Sequence, residues 1–184
     1  MIILVDMDDT IDQLLEAWLL RINEKYGRNV NYDDIDSWDM TKAFPGLSWE
    51  QICSVTFEHG FWKTVKPIPG AAEALERLIK AGHEVYIVTA THLESVVEKM
   101  NDLLFVYFPF LNWDHVIITS RKQLIRGDVM IDDGVHNLEK GNYVRILMTA
   151  PHNKNYDAEL NGMIRVNSWS EIEETIQHLS LDRQ

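Results

Sequence analysis

Met1-Ile2-Ile3-Leu4-Val5-Asp6-Met7-Asp8-Asp9-Thr10 opens the chain. Ile2 to Val5 is a short, fully apolar run rich in β-branched residues. That pattern predicts a strand buried on both faces, as in parallel sheets. The acids Asp6, Asp8 and Asp9 follow at once. Carboxylates crowded at a strand's C-terminal end repel one another, so the cluster is costly unless a cation or a substrate uses it. In open α/β sheets that end of the strand is where ligands bind.

Working outward, similar apolar runs recur at Glu84–Val88, His115–Ile118, Asp128–Ile131 and Val144–Met148. Helical patterns separate several of them. Ala71, Leu75, Leu78 and Ile79 follow Pro69-Gly70, and Gly82 closes that helix. Val96, Val97, Met100, Leu103, Leu104 and Tyr107 form a second stripe before Pro109. Ile172, Ile176 and Leu179 form a third, with Ser170 as the expected N-cap and Glu173 three residues on. Strands alternating with helices predict a three-layer, Rossmann-like α/β fold around a parallel sheet.

One stretch breaks the rhythm. About eighty residues lie between the first strand and the second, far more than a crossover helix needs. Leu14, Leu15, Trp18, Leu19, Ile22 and Tyr26 predict an amphipathic helix, and Trp49, Ile52 and Val55 a shorter one. We read residues 12–68 as a small helical cap inserted into a core made of 1–11 and 69–184. The cap holds four of the six tryptophans and half of all the aromatics. Bulky rings are needed to give a small helical unit any core, and some of these could instead line a pocket for a flat ring.

Asp132-Asp133-Gly134 repeats the strand-then-acids arrangement after Val129-Met130-Ile131. Taken singly, each cluster also reads as helix caps and solvated turn acids. Brought together, the two make an all-oxygen site suited to a hard cation such as Mg²⁺ rather than to zinc.

The composition narrows the partners. Hydrophobic residues make up 46% of the 184, which excludes a disordered chain. With 29 acidic and 17 basic side chains the net charge is −12, so nucleic-acid polymers and anionic membranes are poor partners. The lone Cys53 rules out an intrachain disulfide and favours a reducing compartment. The start lacks a basic stretch ahead of its apolar run, so no signal peptide is expected. The apolar run Leu103–Leu111 falls far short of the ~20 residues of a membrane-spanning helix. A soluble, cytoplasmic protein is the expectation.

Asp6-x-Asp8-x-Thr10 resembles the first motif of the haloacid dehalogenase-like phosphotransferases. Ile87-Val88-Thr89-Ala90 resembles the second motif, Lys122 the third, and Gly127 to Asp133 the fourth. Within that superfamily the chain is most similar to the 5'(3')-deoxyribonucleotidases. The similarity rests on Asp6-Met7-Asp8, Phe61-Trp62, Pro67-Ile68-Pro69-Gly70-Ala71, Ile117-Ile118-Thr119 with Lys122, Ile146 to Thr149 with His152-Asn153, and Ser168-Trp169-Ser170. One departure concerns substrate. Leu14 stands where the family pattern has a phenylalanine that packs near the base.

The resemblance implies two-step hydrolysis of a small phosphomonoester, a nucleotide in the first instance. It makes Asp6 the nucleophile and Asp8 the general acid and base. Thr89, Ala90 and Lys122 become the phosphate-binding groups. Mg²⁺ is implied between Asp6, the backbone carbonyl of Asp8 and Asp133, with Asp132 behind it. Thr10 is expected to support the loop rather than touch substrate. Small capped phosphatases of this kind are often homodimers. Phe44, Phe61 and Trp62 are the expected ring contacts. His92, His136 and His152 read as surface or loop residues, with His152 a weaker candidate for lining the site. Cys53 reads as a buried, inert thiol. Two other readings stay open, a phosphatase of another small phosphorylated metabolite and a catalytically silent nucleotide-binding regulator.

Overall fold

The computed structural model describes residues 1–181; the expected frayed end at Asp182-Arg183-Gln184 lies outside them. Six strands form one parallel sheet: β1 (Ile2–Val5), β2 (Glu84–Thr89), β3 (Val116–Ile118), β4 (Val129–Asp132), β5 (Val144–Met148) and β6 (Ile164–Val166). The order is β3-β2-β1-β4-β5-β6. The chain builds outward from β1 on one side, then crosses to β4 on the other, so the topological switch point lies between β1 and β4. Val5 pairs with Ile87 on β2 and with Ile131 on β4. The next residues along these two inner strands are Asp6 and Asp132. Parallel register alone therefore sets the two acids side by side, with Asp6 N–H donating to the Ile131 carbonyl at 2.8 Å.

Alternation along the strands divides the core. Ile3, Val5, Val129, Ile131 and Ile146 face one side, where α1 (Leu14–Tyr26), α3 (Ala71–Lys80) and α7 (Trp169–Leu181) supply apolar partners. Leu4, Val88, Met130 and Leu147 face the other, covered by Leu138, Tyr143, Ala158 and Met163. The side chains of α1 and of α2 (Trp49–Ser54) belong to the same continuous cluster as the first face. The segment before α3 thus shares the sheet's core instead of making a separate one. Its two ends run side by side. Gln13 N–H donates to Lys66 O, Ile68 N–H donates to Ile11 O, each at 2.8 Å, and Asp12 pairs antiparallel with Pro67.

Three details depart from the sequence pattern. The strand β6 has no apolar run to announce it. Its middle residue, Arg165, spends its guanidinium on the carbonyls of Asn153 and Tyr156. The cap of α7 is Ser168, whose hydroxyl accepts from Glu171 N–H, and not Ser170, which lies inside the helix. The stripe from Val96 to Tyr107 is not one α-helix. A π-helical stretch, Lys99–Leu104, separates α4 (Val96–Glu98) from α5 (Phe105–Tyr107). A π turn inserts one residue and shifts the phase of everything around it. Val97 is 62% exposed, and Lys99 is buried in the phase a 3.6-residue repeat gives to an apolar side chain.

No helix among the described residues is long and apolar enough to cross a membrane. The last helix is fastened to the loop after β1 by the buried Trp169, whose indole N–H donates to the Thr10 carbonyl at 2.9 Å. Trp169→Phe removes this donor and strands a buried carbonyl. We expect a loss of about 2–3 kcal/mol, read as a fall of roughly 5–10 °C in Tm.

Candidate active site

The acids of the first loop divide by task. Asp9 Oδ1 accepts from Leu15 N–H at 2.9 Å, and Asp12 Oδ1 accepts from Leu14 N–H at 3.0 Å. Both carboxylates therefore cap the start of α1, where the helix dipole favours negative charge. Burial pushes both well above the ordinary carboxylate range, with the neighbouring acids adding to it. Asp9 has a φ of 54°, a left-handed conformation that aspartate tolerates better than most residues. Asp6 and Asp8 turn the other way, into a cavity of about 530 Å³.

The floor of that cavity is a chain of buried charges. Lys122 Nζ lies 2.5 Å from Asp6 Oδ1 and 2.7 Å from Asp132 Oδ2. Burial lowers the Lys122 ammonium's hold on its proton, but Asp132 and Asp6 outweigh this, and the net direction is up. Asp6 is pushed well above its ordinary range, first by burial and then by Asp132, with Lys122 opposing. Asp132 is also raised by burial, again against Lys122. A second ammonium, Lys99, meets Asp8 Oδ2 at 2.6 Å and the Thr89 hydroxyl at 3.0 Å.

A divalent cation fits the donor set. Carboxylate oxygens of Asp6, Asp132 and Asp133 lie within 4.8 Å of one another. Among the described residues, two ammoniums, Lys99 and Lys122, pair with Asp6, Asp8 and Asp132. Asp132 has no oxygen to spare, since Oδ2 holds Lys122 and Oδ1 accepts from Gly134 N–H at 2.7 Å and Asn137 Nδ2 at 3.0 Å. Asp133 Oδ2, in contrast, is buried and accepts no hydrogen bond of good geometry, although His152 Nε2 lies 3.0 Å away. An orphaned carboxylate oxygen beside other acids suits a hard cation. Thr10 Oγ1 braces Asp133 Oδ1 from the far side at 3.4 Å.

The walls are aromatic. Trp18, Trp38, Trp49 and Trp62 line the cavity with Leu14, His92 and His136. Trp18 and Trp49 meet edge to face at 6.1 Å, and Trp49 stays 44% exposed. Trp38 stacks on His152 at 5.0 Å and donates its N–H to His136 Nε2 at 3.4 Å. Of the three rings expected from the sequence, Trp62 lines the cavity. Phe44 and Phe61 do not: both are buried in the core. His92 and His136 are exposed, as the sequence reading had them, and both also line the cavity. His152 packs behind the acids, against Asp133. Ala90 lies at the cavity, and Thr89 is fully buried beneath it. The Cys53 thiol is largely buried and pushed up to about 11, chiefly by burial, which leaves it unreactive.

The family model described as "5' nucleotidase, deoxy (Pyrimidine), cytosolic type C protein" matches residues 1–181. The chain belongs to this 5'-nucleotidase family. It is 34% identical over 174 residues to the 5'(3')-deoxyribonucleotidase of Bacillus subtilis, covering 94% of this chain and 96% of the relative. It is 32% identical over 177 residues to the 5'(3')-deoxyribonucleotidase of Clostridium acetobutylicum, covering 95% and 94%. Among solved structures it is similar to a haloacid dehalogenase-like hydrolase from Streptococcus pneumoniae, with a TM-score of 0.68, 13% identity and coverage of 95% and 97%. A hydrolase of the same superfamily from Deinococcus radiodurans, solved with bound phosphate and sodium, gives 0.59 at 16% identity, covering 97% and 96%. These structural matches establish the haloacid dehalogenase-like fold. With its family, this chain is a phosphatase of the 5'-nucleotidase type.

Lys99 was not legible as a site residue, because it falls inside an apolar stripe. Among the described residues no cation besides Lys122 touches Asp6 or Asp132. Lys122→Met therefore leaves two buried carboxylates facing each other. We expect a loss of roughly 3–5 kcal/mol, seen as a fall on the order of 10 °C in Tm.

Proposed function

We propose that this chain is a Mg²⁺-dependent 5'(3')-deoxyribonucleotidase acting on (deoxy)nucleoside monophosphates through an aspartyl-phosphate on Asp6, in the cytoplasm. The observation that carries the reading is a single cavity with buried acids and Lys122 on its floor and four tryptophans on its walls. The floor suits a phosphoryl group and the walls suit a flat base. The named activity of the bacterial relatives supports it.

Asp6 attacks phosphorus as the ester P–O bond breaks, which divides one hard displacement into two easier ones. Asp8 gives a proton to the departing sugar oxygen. It then takes a proton from the water that attacks the phosphorylated Asp6, releasing phosphate and restoring the Asp6 carboxylate and the Asp8 acid. Lys122 balances the charge of the phosphoryl oxygens and of Asp6. The Ala90 backbone N–H and the Thr89 hydroxyl hold the remaining phosphoryl oxygens. Mg²⁺ would be held by Asp6, the Asp8 backbone carbonyl and Asp133, with Asp132 orienting Lys122 behind them, and it would offset the repulsion between carboxylate and phosphate. Residues 12–68 act as the cap, and their walls exclude water during the chemistry.

A second reading keeps the chemistry and replaces the nucleotide with another small phosphorylated metabolite. Leu14 on the cavity wall favours it, because an aliphatic side chain there offers a base less stacking surface. A silent, nucleotide-binding regulator is disfavoured by the complete set of Asp6, Asp8, Thr89, Lys122, Asp132 and Asp133.

Phosphate release from dUMP, dTMP, dGMP, UMP, AMP and several sugar phosphates, with Mg²⁺ and with EDTA, tests these readings. Turnover of deoxynucleotides that requires Mg²⁺ and disappears in Asp6→Asn is the expected result. Metal-dependent turnover of sugar phosphates alone would leave the mechanism and remove the nucleotidase. Binding without turnover would favour the regulator. Trp49→Ala should raise KM for nucleotides about 10-fold, in line with the loss of one ring–base contact. Its kcat should stay within about twofold, and sugar phosphates should be unaffected, since only a ring–base contact is removed.

A further inference from the structure

We propose that Lys99 is a positioning residue that fixes the proton-carrying oxygen of Asp8 toward the leaving group. The inference rests on the phosphatase reading of the same site. Lys99 is 1% exposed, and lysines are almost never that buried without a partner. It is the first residue of the π-helical stretch Lys99–Leu104, a feature that concentrates at functional sites. Its ammonium joins three separate parts of the chain. It lies 2.6 Å from Asp8 Oδ2 in the loop after β1 and 3.0 Å from Thr89 Oγ1 at the end of β2. It also sits 5.0 Å from the ring centre of Trp62, whose indole N–H is fixed on the Thr56 carbonyl at 3.0 Å. Such a cation, desolvated over an indole face, is held from both sides.

The two oxygens of Asp8 are not equivalent. Oδ2 is anchored on Lys99. Oδ1 is buried and has no hydrogen-bond partner among the described residues. A carboxylate tied by one oxygen has its terminal rotation fixed, and the other oxygen is the one left to exchange a proton. Asp8, Lys99 and Asp6 line the same cavity, so the carboxyl group that Lys99 holds stands where the ester is cut. The step balances simply. As the Asp6–phosphorus bond forms and the ester bond breaks, the proton on Asp8 Oδ1 passes to the sugar oxygen. General acids contribute only when they are placed within hydrogen-bond reach, and a displacement near 1 Å removes much of the effect.

A merely structural lysine and a positioning lysine differ in how their loss depends on the leaving group. A deoxynucleotide expels an alkoxide, which needs the proton. p-Nitrophenyl phosphate expels a stabilised phenolate, which does not. The quantity to compare is kcat/KM, which covers steps up to the phosphorylated Asp6. In Lys99→Met we expect kcat/KM to fall about 100-fold on a deoxynucleoside monophosphate and less than about fivefold on p-nitrophenyl phosphate. Lys99→Arg, which keeps a cationic donor for Oδ2, should recover at least about tenfold on the nucleotide. Equal losses on the two substrates, or no loss on the nucleotide, would overturn the inference. If Lys99→Met lacks a cooperative melting transition, Lys99→Arg and Lys99→Gln are compared by the same ratio, with Gln expected to show the split and Arg to reduce it. A wild-type enzyme inactive on both substrates would overturn the phosphatase reading together with this inference. Active wild type with a uniform loss overturns this inference alone.

Discussion

The ammonium of Lys122, set between the carboxylates of Asp6 and Asp132, is the constraint on which the catalytic edge depends. Parallel pairing of β1 with β4 brings those two acids together whether or not the result is electrostatically favourable. Desolvated like charges at that distance raise each other's affinity for protons and work against folding. A single buried cation relieves both. Once it is placed, the rest follows. The turn carrying Lys122 must lie under the sheet's C-terminal edge. The remaining oxygen of Asp132 must be filled by Gly134 and Asn137, and Asp133 is left as the acid with an oxygen to offer. Breaking such a triad at one member costs more than the triad contributes, which makes the arrangement a lock rather than a source of stability.

Above this floor the molecule separates chemistry from selection. The reacting groups sit at strand ends, on backbone that the sheet fixes. The ring-bearing walls come largely from the segment between β1 and α3. Trp38 connects the two levels, because it stacks on His152, and His152 in turn lies against Asp133. Trp62 connects them again through Lys99. Contact between wall and floor is thus made through aromatic faces over charged or ionisable groups, which tolerate small sliding better than directional bonds do.

How much of this the sequence discloses depends on the kind of constraint. The five apolar strand runs, the acids that follow two of them, and Lys122 ten residues before Asp132 are local patterns. The structure gathers all of them at one edge. Strand β6 was not legible, since it carries no apolar run and its middle residue is Arg165, which reaches carbonyls of the preceding loop. Lys99 was hidden because a charged residue at an apolar position of a helical stripe gives no sign of the partners that bury it. The tryptophans were visible as a concentration of rings, but the division between core and cavity was not. Phe44 and Phe61 went inside, while Trp18 and Trp49 reached the wall from α1 and α2 and Trp38 from a loop, a division that periodicity alone does not make. The acidic opening loop was legible only as a whole. That Asp9 and Asp12 serve α1 while Asp6 and Asp8 serve the cavity is settled by which backbone N–H groups come within reach.

The paired linkers at residues 11–13 and 66–68 have a consequence for how such a molecule diversifies. Because the segment leaves and rejoins the sheet at one place, through two linkers already bonded to each other, its length does not set the spacing of β1, β2 and β4. Changes of length in the exposed loops between those linkers leave the reacting carboxylates where they are, whereas the core side chains of α1 and α2 are shared with the sheet. Selectivity can therefore drift without disturbing the reaction, as an exchangeable fitting on a fixed tool. Leu14, one residue past that junction, is the kind of change such an arrangement permits.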